Sequence, residues 1–413
     1  MTDRRPMWSA QQALDFLLSA ARPVAETEII PTLEANGRVL AAAQTSQLNV
    51  PPMDNAQMDG YAVRAADCAS GTVRLKVSQR IAAGQVGLVL ESGTAARIFT
   101  GAMIPIGADA VVMQELCEPE TTADGDAVTI RYVPQAGEWI RRSGEDIRSG
   151  SVLLTAGTRL RAQELGLAAS VGLESLAVVR RVRVAVFFTG DELAMPGESL
   201  KPGAIYNSNR FILRGLLQNL GCEIADYGIV PDSLSATRDT LRRAAEENDL
   251  IITCGGVSVG EEDHVKPAVE AEGRLDMWQI AIKPGKPLAF GEVNRKTGGT
   301  AFFIGLPGNP VSSFVTFLLF VRPFILRLHG VADVAPKTFA MRADFAWPKA
   351  DRRNEFLRAR INPDGGLDLF RNQGSTVLTS TVWGDGLIDN PPGQMIATGD
   401  IVRFIPFSEL LYL

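Results

Sequence analysis

V-R-V-A-V-F-F, at residues 182–188, is the stretch that most strongly constrains the fold, because apart from Arg183 it is an unbroken apolar run. Such a run, bounded by turn residues, is typical of a strand buried on both faces of a sheet. Further segments follow it, predicted as a helix at 209–220, a strand at 223–229, a helix at 233–247, a strand at 250–253, a helix at 265–272, strands near 288–290 and 302–304, and a helix at 311–328. This alternation predicts a doubly wound parallel α/β sheet over residues 180–330, with ligands at the carboxyl ends of its strands.

The flanking regions have shorter elements. Residues 1–45 place apolar side chains such as Leu14 and Leu17 at helical spacing, and a helix at 162–171 is expected to pack against them. Short β-type runs punctuated by Gly and Pro follow residue 50, and apolar–polar alternation returns near residue 335. The expected organisation is an N-terminal helical and mixed domain (1–48 with 141–179), a small β domain (49–140), the α/β domain (180–330) and a C-terminal β-barrel-like domain (331–413).

The composition is that of a globular protein and excludes several classes of function. Hydrophobic residues make up 46% and charged residues 21% of the 413 residues, close to the averages of about 45–50% and 25%. A formal net charge of −6 lacks the basic excess that indicates a nucleic-acid partner. The apolar run 311–321 ends at Arg322, short of the roughly 18 residues that a membrane span needs.

Cysteine and histidine are scarce. The four cysteines lie far apart without a Cys-x-x-Cys pair, which indicates a reducing cytoplasm and argues against a thiolate zinc site. The two histidines, His264 and His329, are too few for a multi-histidine metal site. Any bound metal is therefore expected to be a hard cation that is held by carboxylates.

Two turns have the features of an anion site. G-G-V-S-V-G (255–260) lies between a predicted strand and a helix, where glycine lets successive backbone N–H groups converge on an anion. K-P-G-K-P (283–287) spaces Lys283 and Lys286 by three residues, the repeat of polyproline geometry, so both lysines would face one dianion or phosphate. The alternatives are an ordinary tight connection for the first turn and a proline-rich turn with solvated lysines for the second. A third turn, G-L-P-G-N-P (305–310), is expected to be a strand-to-helix corner.

Carboxylates occur where strands of the α/β domain are predicted to end. Asp191 and Glu192 follow the first strand, Asp232 follows the second and Asp263 lies beyond the third. Because Mg²⁺ takes one or two carboxylates together with water and substrate phosphates, their convergence predicts a magnesium site. Taken singly, each residue has the alternative role of a helix cap or a turn residue, as Asp263 would have before a helix at 265.

In combination these strings resemble the molybdopterin molybdenumtransferase family, which includes MoeA and the E domain of gephyrin. The matching motifs, in family order, are PPMDNAQMDGYAV (51–63), FTGA (99–102), RRSGEDI (141–147), TGDE (189–192), GGVSVG (255–260), KPGKP (283–287), LPGNPVS (306–312) and NQGS (372–375). The resemblance implies four domains, an elongated homodimer and a cytoplasmic enzyme. It also implies that adenylylated molybdopterin and molybdate are converted, with Mg²⁺, to molybdenum cofactor and AMP.

The resemblance also implies roles for individual residues. The catalytic residues would be Asp59, Asp146, Glu192, Asp232 and Asp263, and the last three would bind or orient Mg²⁺. Substrate would be bound by Thr100, Arg141, Gly255, Gly256, Ser258, Lys283, Lys286, Pro307, Gly308, Asn309, Pro310, Arg358 and Ser375. Arg358 and Ser375 match positions associated with molybdate. The chain departs from the family at Gln279, where some relatives carry Lys, and in the short segment 372–380, which lacks a serine-rich run.

Two other functions are compatible with parts of the sequence. A molybdopterin adenylyltransferase shares the GGVSVG and LPGNP turns, but it lacks the MDGYA motif and the final β domain. A gephyrin-like scaffold would carry extra domains and long linkers, which are not found in these 413 residues. Binding to molybdoenzymes or their chaperones is compatible with the resemblance, which identifies none of them; nucleic acid and membrane are not expected partners.

Overall fold

The computed structural model describes residues 7–256 and 264–411, apart from the side chains of residues 277 and 278. Its centre is a six-stranded sheet with the strand order Glu223–Val230, Arg183–Thr189, Leu250–Cys254, Thr300–Leu306, Pro287–Asn294 and Gly273–Gln279. The first four strands are parallel, as predicted. The prediction of a wholly parallel sheet is wrong at Pro287–Asn294, which pairs antiparallel with both of its neighbours, Thr300–Leu306 and Gly273–Gln279. The reason is loop length, since the few residues between these strands are too short for the crossover that a parallel pair requires.

Both faces of the central sheet are buried, which explains the unbroken apolar run in its second strand. Val184, Val186 and Phe188 point into one hydrophobic core, and Ala185 and Phe187 point into the other. Helices cover the two faces at Ser208–Asn219, Leu234–Glu247, Val265–Glu272 and Pro310–Leu328. The doubly wound α/β architecture is therefore confirmed, in a mixed rather than an all-parallel sheet.

Pro310–Leu328 is, within the described residues, the one helix that is long and apolar enough to cross a membrane, with a mean hydropathy of 1.7. Of its apolar window, 89% is buried inside the protein, as in the core helix of a globular domain. The helix continues beyond Arg322, where the uninterrupted apolar run ends, after a π-helical turn at Phe317–Val321, in agreement with the helix predicted at 311–328. Arg322 is 5% exposed, and its two Nη atoms donate to the carbonyls of Val334 and Glu409, whereas its Nε is buried without a hydrogen-bond partner among the described residues.

The N-terminal helix is shorter than expected and packs on the α/β core. It spans Ala10–Ala20 and begins at a Ser9 cap, and its residue Leu17 is fully buried in the core that also holds Val184. The prediction of a helical segment to residue 45 is wrong. Pro23 disfavours helical geometry at the residue before it. The β-branched residues Ile29 and Ile30 then favour the strand Thr27–Pro31.

The segments on either side of the small β domain pair with each other. Thr27–Pro31 pairs with Ser175–Val179 and Gln44–Thr45 with Val152–Leu154, next to helix Ala162–Ser170. The small β domain is a six-stranded sheet with the order Ala110–Met113, Gly60–Val63, Thr94–Ile98, Val73–Ile81, Gly125–Ile130 and Cys117–Thr122. A short pair, Asn55–Ala56 with Ile140–Arg141, lies at its base.

The C-terminal region forms another six-stranded sheet that includes a strand from the α/β domain. Its strands are Ile282–Lys283, Asn354–Ile361, Gly386–Asn390, Ile401–Pro406 and Phe339–Arg342 in that order, with Leu367–Leu369 beside the second. Short helices follow at Thr379–Trp383 and Ser408–Leu411. Because Ile282–Lys283 pairs with Asn354 and Glu355, the lysine-rich turn joins the two domains.

Candidate active site

Two glycine turns meet at the carboxyl edge of the central sheet. The backbone N–H of Gly255 donates to the carbonyl of Leu306 at 3.2 Å, and a Cβ on Gly308 would lie 3.8 Å from the Cα of Gly255. Asn209 ties the turns together, since its amide nitrogen donates to the carbonyl of Gly308 at 2.8 Å and to the thiol of Cys254 at 3.1 Å. The predicted residues Gly255, Pro307, Gly308 and Asn309 therefore share one edge with Asn209.

Position 255 requires glycine. Its φ is +98°, and a Cβ there would lie 2.9 Å from the carbonyl oxygen of Thr189. Gly256 also has a positive φ, of +64°. The backbone therefore turns in close contact with the end of the neighbouring strand. Ser258 and Asp263, both predicted site residues, lie outside the described residues.

Two predicted metal ligands follow neighbouring strands at this edge. Thr189 and Val230 are register partners in parallel strands, so Glu192 and Asp232 each leave the sheet within three residues of a paired position. Both carboxylates are accessible, and neither has a hydrogen-bonded partner among the described residues. The described part of the chain contains no group of three or more acidic, histidine or cysteine side chains arranged for a metal. Two carboxylates fit Mg²⁺, which completes its shell with water and phosphate oxygens.

The two lysines of the KPGKP turn have different environments. The ammonium of Lys283 lies 2.9 Å from a carboxylate oxygen of Glu355 and 3.4 Å from one of Asp351. Glu355 is 1% exposed and also accepts from the indole N–H of Trp347 at 2.8 Å. Lys286 is exposed, and the described residues offer it no ion pair. Lys283 thus anchors the C-terminal sheet, and Lys286 is the lysine of this turn whose charge is available to an anion.

Asp351, the second carboxylate beside Lys283, is strongly acidic. Hydrogen bonds from Arg353 hold the pKa of Asp351 well below its ordinary range, and the charge of Lys283 acts in the same direction. Asp351 therefore remains ionised throughout the physiological range.

Arg358 is completely buried in the C-terminal domain. Its guanidinium donates to the hydroxyl of Ser380 at 3.1 Å and to the carbonyls of Phe356 and Gly374 at 3.1 and 3.3 Å. Burial lowers its pKa to about 10. These contacts shape the 372–375 segment, whose residue Ser375 accepts a hydrogen bond from the N–H of Val311 at 3.0 Å. The segment therefore reaches the helix that follows the LPGNP turn.

In the small β domain the structure brings together two predicted residues. One carboxylate oxygen of Asp59 accepts from both the backbone N–H and the hydroxyl of Thr100, each at 2.8 Å. The Thr100 backbone bond, followed by the hydroxyl bond, lowers the pKa of Asp59. Arg97 lies nearby, with its guanidinium 4.6 Å from the ring centroid of Phe99 and 5.2 Å from that of Tyr61.

A second pair of loops supports this arrangement. The carboxylate of Asp54 accepts from Arg142 at 2.6 Å and from the N–H of Ser143 at 2.8 Å, and the Ser143 bond is the main reason that its pKa is lowered. Arg141 pairs with Asn55 in a short antiparallel ladder. Asp146 is exposed, and its backbone N–H donates to the carbonyl of Val50 at 3.0 Å. The RRSGEDI and PPMDN segments are therefore one structural unit.

The two groups of predicted residues are separate within one chain. Among the described residues, no recorded hydrogen bond or ion pair joins the small β domain around Asp59 to the central sheet around Asp232. Sequence reasoning also missed Asn209 and Arg97. The polar run N-S-N at 207–209, ahead of an apolar helix, was a signal for the former; the latter sits in an ordinary strand and offered none.

The sequence matches family models over most of its length. Residues 8–172 match a family described as the MoeA N-terminal region (domain I and II), residues 185–327 a probable molybdopterin binding domain, and residues 340–407 the MoeA C-terminal region (domain IV). A molybdopterin molybdenumtransferase of Haemophilus influenzae is 38% identical over 412 residues, which cover 98% of this chain and 100% of that protein. One from Nostoc sp. is 40% identical and covers 85% of this chain and 81% of its own length.

Solved structures agree with the sequence relatives. The molybdopterin biosynthesis moeA protein from Pyrococcus horikoshii OT3 superposes with a TM-score of 0.83 at 29% identity, over 97% of this chain and all of that one. The α/β sheet with its glycine turns, flanked by β domains, is thus that of a multi-domain transferase of molybdenum cofactor biosynthesis. The chain belongs to the molybdopterin molybdenumtransferase family, which confirms the resemblance carried by its motifs.

Proposed function

We propose that this enzyme inserts molybdate into adenylylated molybdopterin in a Mg²⁺-dependent reaction that releases AMP and yields molybdenum cofactor. The observation that carries the proposal is the edge of the central sheet where the Gly255 and Gly308 turns meet beside Glu192 and Asp232. Backbone N–H groups at such turns suit phosphate oxygens, and accessible carboxylates suit a hard metal on the same phosphates. One edge therefore supplies both halves of a pyrophosphate site.

Each described residue has a distinct task in this proposal. Glu192 and Asp232 hold Mg²⁺, which when bound polarises the phosphate oxygens and neutralises charge that develops as the P–O bond breaks. Lys286 supplies a positive charge to molybdate or to the pterin phosphate. Lys283 positions the turn by its ion pairs with Glu355 and Asp351. In a homodimer, Asp59 and Arg97 of the partner subunit contact the substrate from the side opposite the sheet edge, as a polar and cationic surface of the small β domain.

The molybdopterin adenylyltransferase alternative is less well supported. An adenylyltransferase would share only the α/β domain of this chain. Two of the three family matches lie outside that domain, at residues 8–172 and 340–407.

We further propose that the enzyme is a cytoplasmic homodimer. Its four cysteines are free, and Cys68 and Cys254 are buried, which agrees with a reducing compartment such as the cytoplasm.

The deciding experiment measures AMP release from adenylylated molybdopterin with molybdate and Mg²⁺. We expect AMP only when all three are present, and no consumption of ATP when molybdopterin replaces the adenylylated substrate. The Asp232→Asn variant should reduce AMP release at least tenfold at limiting Mg²⁺, because a charged metal contact is lost. Asp239→Asn is the matched control, since Asp239 is 69% exposed and lies on the surface of a nearby helix. ATP consumption without molybdate dependence would contradict the proposal.

A further inference from the structure

A small cavity lies where the N-terminal domain meets the α/β domain, beside the amino ends of strands whose carboxyl ends lead to the proposed active-site residues. Its volume is about 10 Å³, and three arginines and a histidine line it: Arg38 and Arg159 from the first domain and Arg181 and His329 from the second. A cavity of this size holds one water-sized particle. The cavity therefore has room for a single small occupant surrounded by cationic and polar groups.

The arginines are not balanced by carboxylates. Arg38 pairs with Glu28 at 3.0 Å, but Arg159 and Arg181 form no ion pair among the described residues. Their recorded partners are backbone carbonyls, of Asn219 at 3.2 Å for Arg159 and of Gly221 at 2.9 Å for Arg181. The Nη1 atom of Arg159 is buried without a hydrogen-bond acceptor. A buried donor left unsatisfied costs stability, so an acceptor at this position would be favourable.

The surroundings are electropositive. The two carbonyls belong to the end of helix Ser208–Asn219, whose dipole supplies about half a negative charge against the two whole charges of Arg159 and Arg181. Burial, together with repulsion from the arginines, lowers the pKa of His329 to about 4. His329 is thus neutral; its Nε2 accepts from the N–H of Val182 at 3.2 Å, so its proton is on Nδ1.

Glycine makes room for the guanidinium groups. Gly37 and Gly221 both line the cavity with positive φ, of +75° and +73°. A Cβ on Gly37 would lie 3.7 Å from Nη2 of Arg159, and one on Gly221 would lie 3.2 Å from Nη1 of Arg181. A larger residue at Gly221 would therefore crowd the guanidinium group of Arg181, whereas the contact at Gly37 is an ordinary one.

We propose that this cavity binds one small monovalent anion of the size of chloride, held between Arg159 and Arg181. A tetrahedral oxyanion is too large for the volume, and a cation is excluded by the charge. The bound anion supplies the missing acceptor for Arg159 and the missing counter-charge. Because the lining residues come from two domains, the anion fastens the N-terminal domain to the α/β domain.

The direct test uses bromide, which replaces chloride and scatters anomalously. Crystals grown without halide and soaked in sodium bromide should show an anomalous peak between the guanidinium groups of Arg159 and Arg181. The peak should be absent in Arg159→Met and retained in Arg74→Met, a control arginine that is 56% exposed on the small β domain. Density for a water with no bromine signal in the wild-type protein would overturn the proposal.

A solution measurement complements the crystals. At equal ionic strength, chloride should raise the midpoint of thermal unfolding by about 2 °C relative to gluconate, because an anion that binds only the folded state stabilises it. Arg159→Met should lose this difference, whether or not the substitution lowers the midpoint itself. Equal midpoints in chloride and gluconate for the wild-type protein would contradict the proposal, and neither result depends on the assigned reaction.

Discussion

Lys283 and Lys286 are three residues apart and chemically identical, yet their surroundings give them different tasks. Lys283 neutralises a carboxylate, Glu355, that is 1% exposed. Removing one partner of such a pair leaves an uncompensated buried charge, and the partial exposure of Lys283 moderates the cost. Lys286 forms no ion pair with the described residues and is exposed to solvent.

We expect Lys283→Ala to lower the free energy of unfolding by about 1–2 kcal/mol, because Glu355 loses its counter-ion. Lys286→Ala should leave stability unchanged. It should raise the concentration of molybdate or of adenylylated molybdopterin at half-maximal activity by about tenfold or more, the worth of a charge-assisted hydrogen bond. Denaturant titrations and steady-state AMP release measure the two effects. Lys349→Ala, at an exposed position, is the control for loss of a positive charge.

The critical result is that one substitution alters stability and the other alters substrate dependence. If Lys286→Ala alters neither substrate dependence, the turn does not bind an anion through this residue. If Lys283→Ala is as stable as the wild type, the ion pair with Glu355 does not contribute to folding.

His329 predicts a pH dependence of stability. Its pKa is about 4 in the folded protein and about 6.5 in the unfolded chain. Burial is the main cause of the lowered pKa, and repulsion by Arg159, Arg38 and Arg181 lowers it further. Between these values the unfolded chain binds a proton that the folded protein does not. Stability is therefore fully present above pH 6.5 and is lost as the pH falls toward 4, by about 2–3 kcal/mol.

The comparison with His329→Gln isolates this contribution, since glutamine can accept the N–H of Val182 but does not titrate. The variant should lose less stability than the wild type between pH 7 and 4.5, as measured by denaturant midpoints. Parallel curves for the two proteins would show that the imidazole does not drive the change.

At the scale of elements, the two glycine turns differ in what they require. Gly255 has a φ of +98° and no room for a Cβ, whereas a Cβ on Gly308 would make an ordinary contact at 3.8 Å. Gly255→Ala should therefore cost about 1–3 kcal/mol of unfolding free energy and reduce AMP release. Gly308→Ala is the matched control, expected within about 0.5 kcal/mol of the wild type. Equal losses in the two variants, followed by thermal unfolding, would refute the assigned geometry.

At the scale of the whole molecule, the separation of Asp59 from Asp232 within one chain leads to a prediction about assembly. If the small β domain of one subunit completes the sheet edge of its partner, Asp59→Asn and Asp232→Asn subunits should each be inactive yet complement each other. Random mixing in a two-fold dimer gives about half heterodimers, and each contains one intact site. Refolding the variants together should restore about a quarter of wild-type AMP release.

The control is each variant refolded alone, which should stay inactive. Heterodimers that are confirmed by mass but show no activity would mean that both aspartates serve one site within a chain, and the assigned reaction would be unaffected.

Local pattern predicted most of the α/β domain. The helix predicted at 265–272 has those bounds and the strand predicted at 250–253 ends one residue later, at Cys254, because apolar periodicity and flanking turn residues act over a few positions. The motif strings likewise located the turns at 255 and 308. The sequence by itself therefore determined most strands of the α/β domain, its turns and the family, but not the strand Gly273–Gln279.

Only the tertiary structure decided which of these residues share a site. Lys283 meets Glu355 across 72 positions, and Arg159 meets the carbonyl of Asn219 across 60. Such partners depend on how whole domains pack, and the periodicity of a segment carries no information about them. For the same reason the sequence predicted two equivalent lysines and a wholly parallel sheet, whereas the folded chain holds one lysine in an ion pair with a buried carboxylate and runs the strand Pro287–Asn294 antiparallel to both of its neighbours.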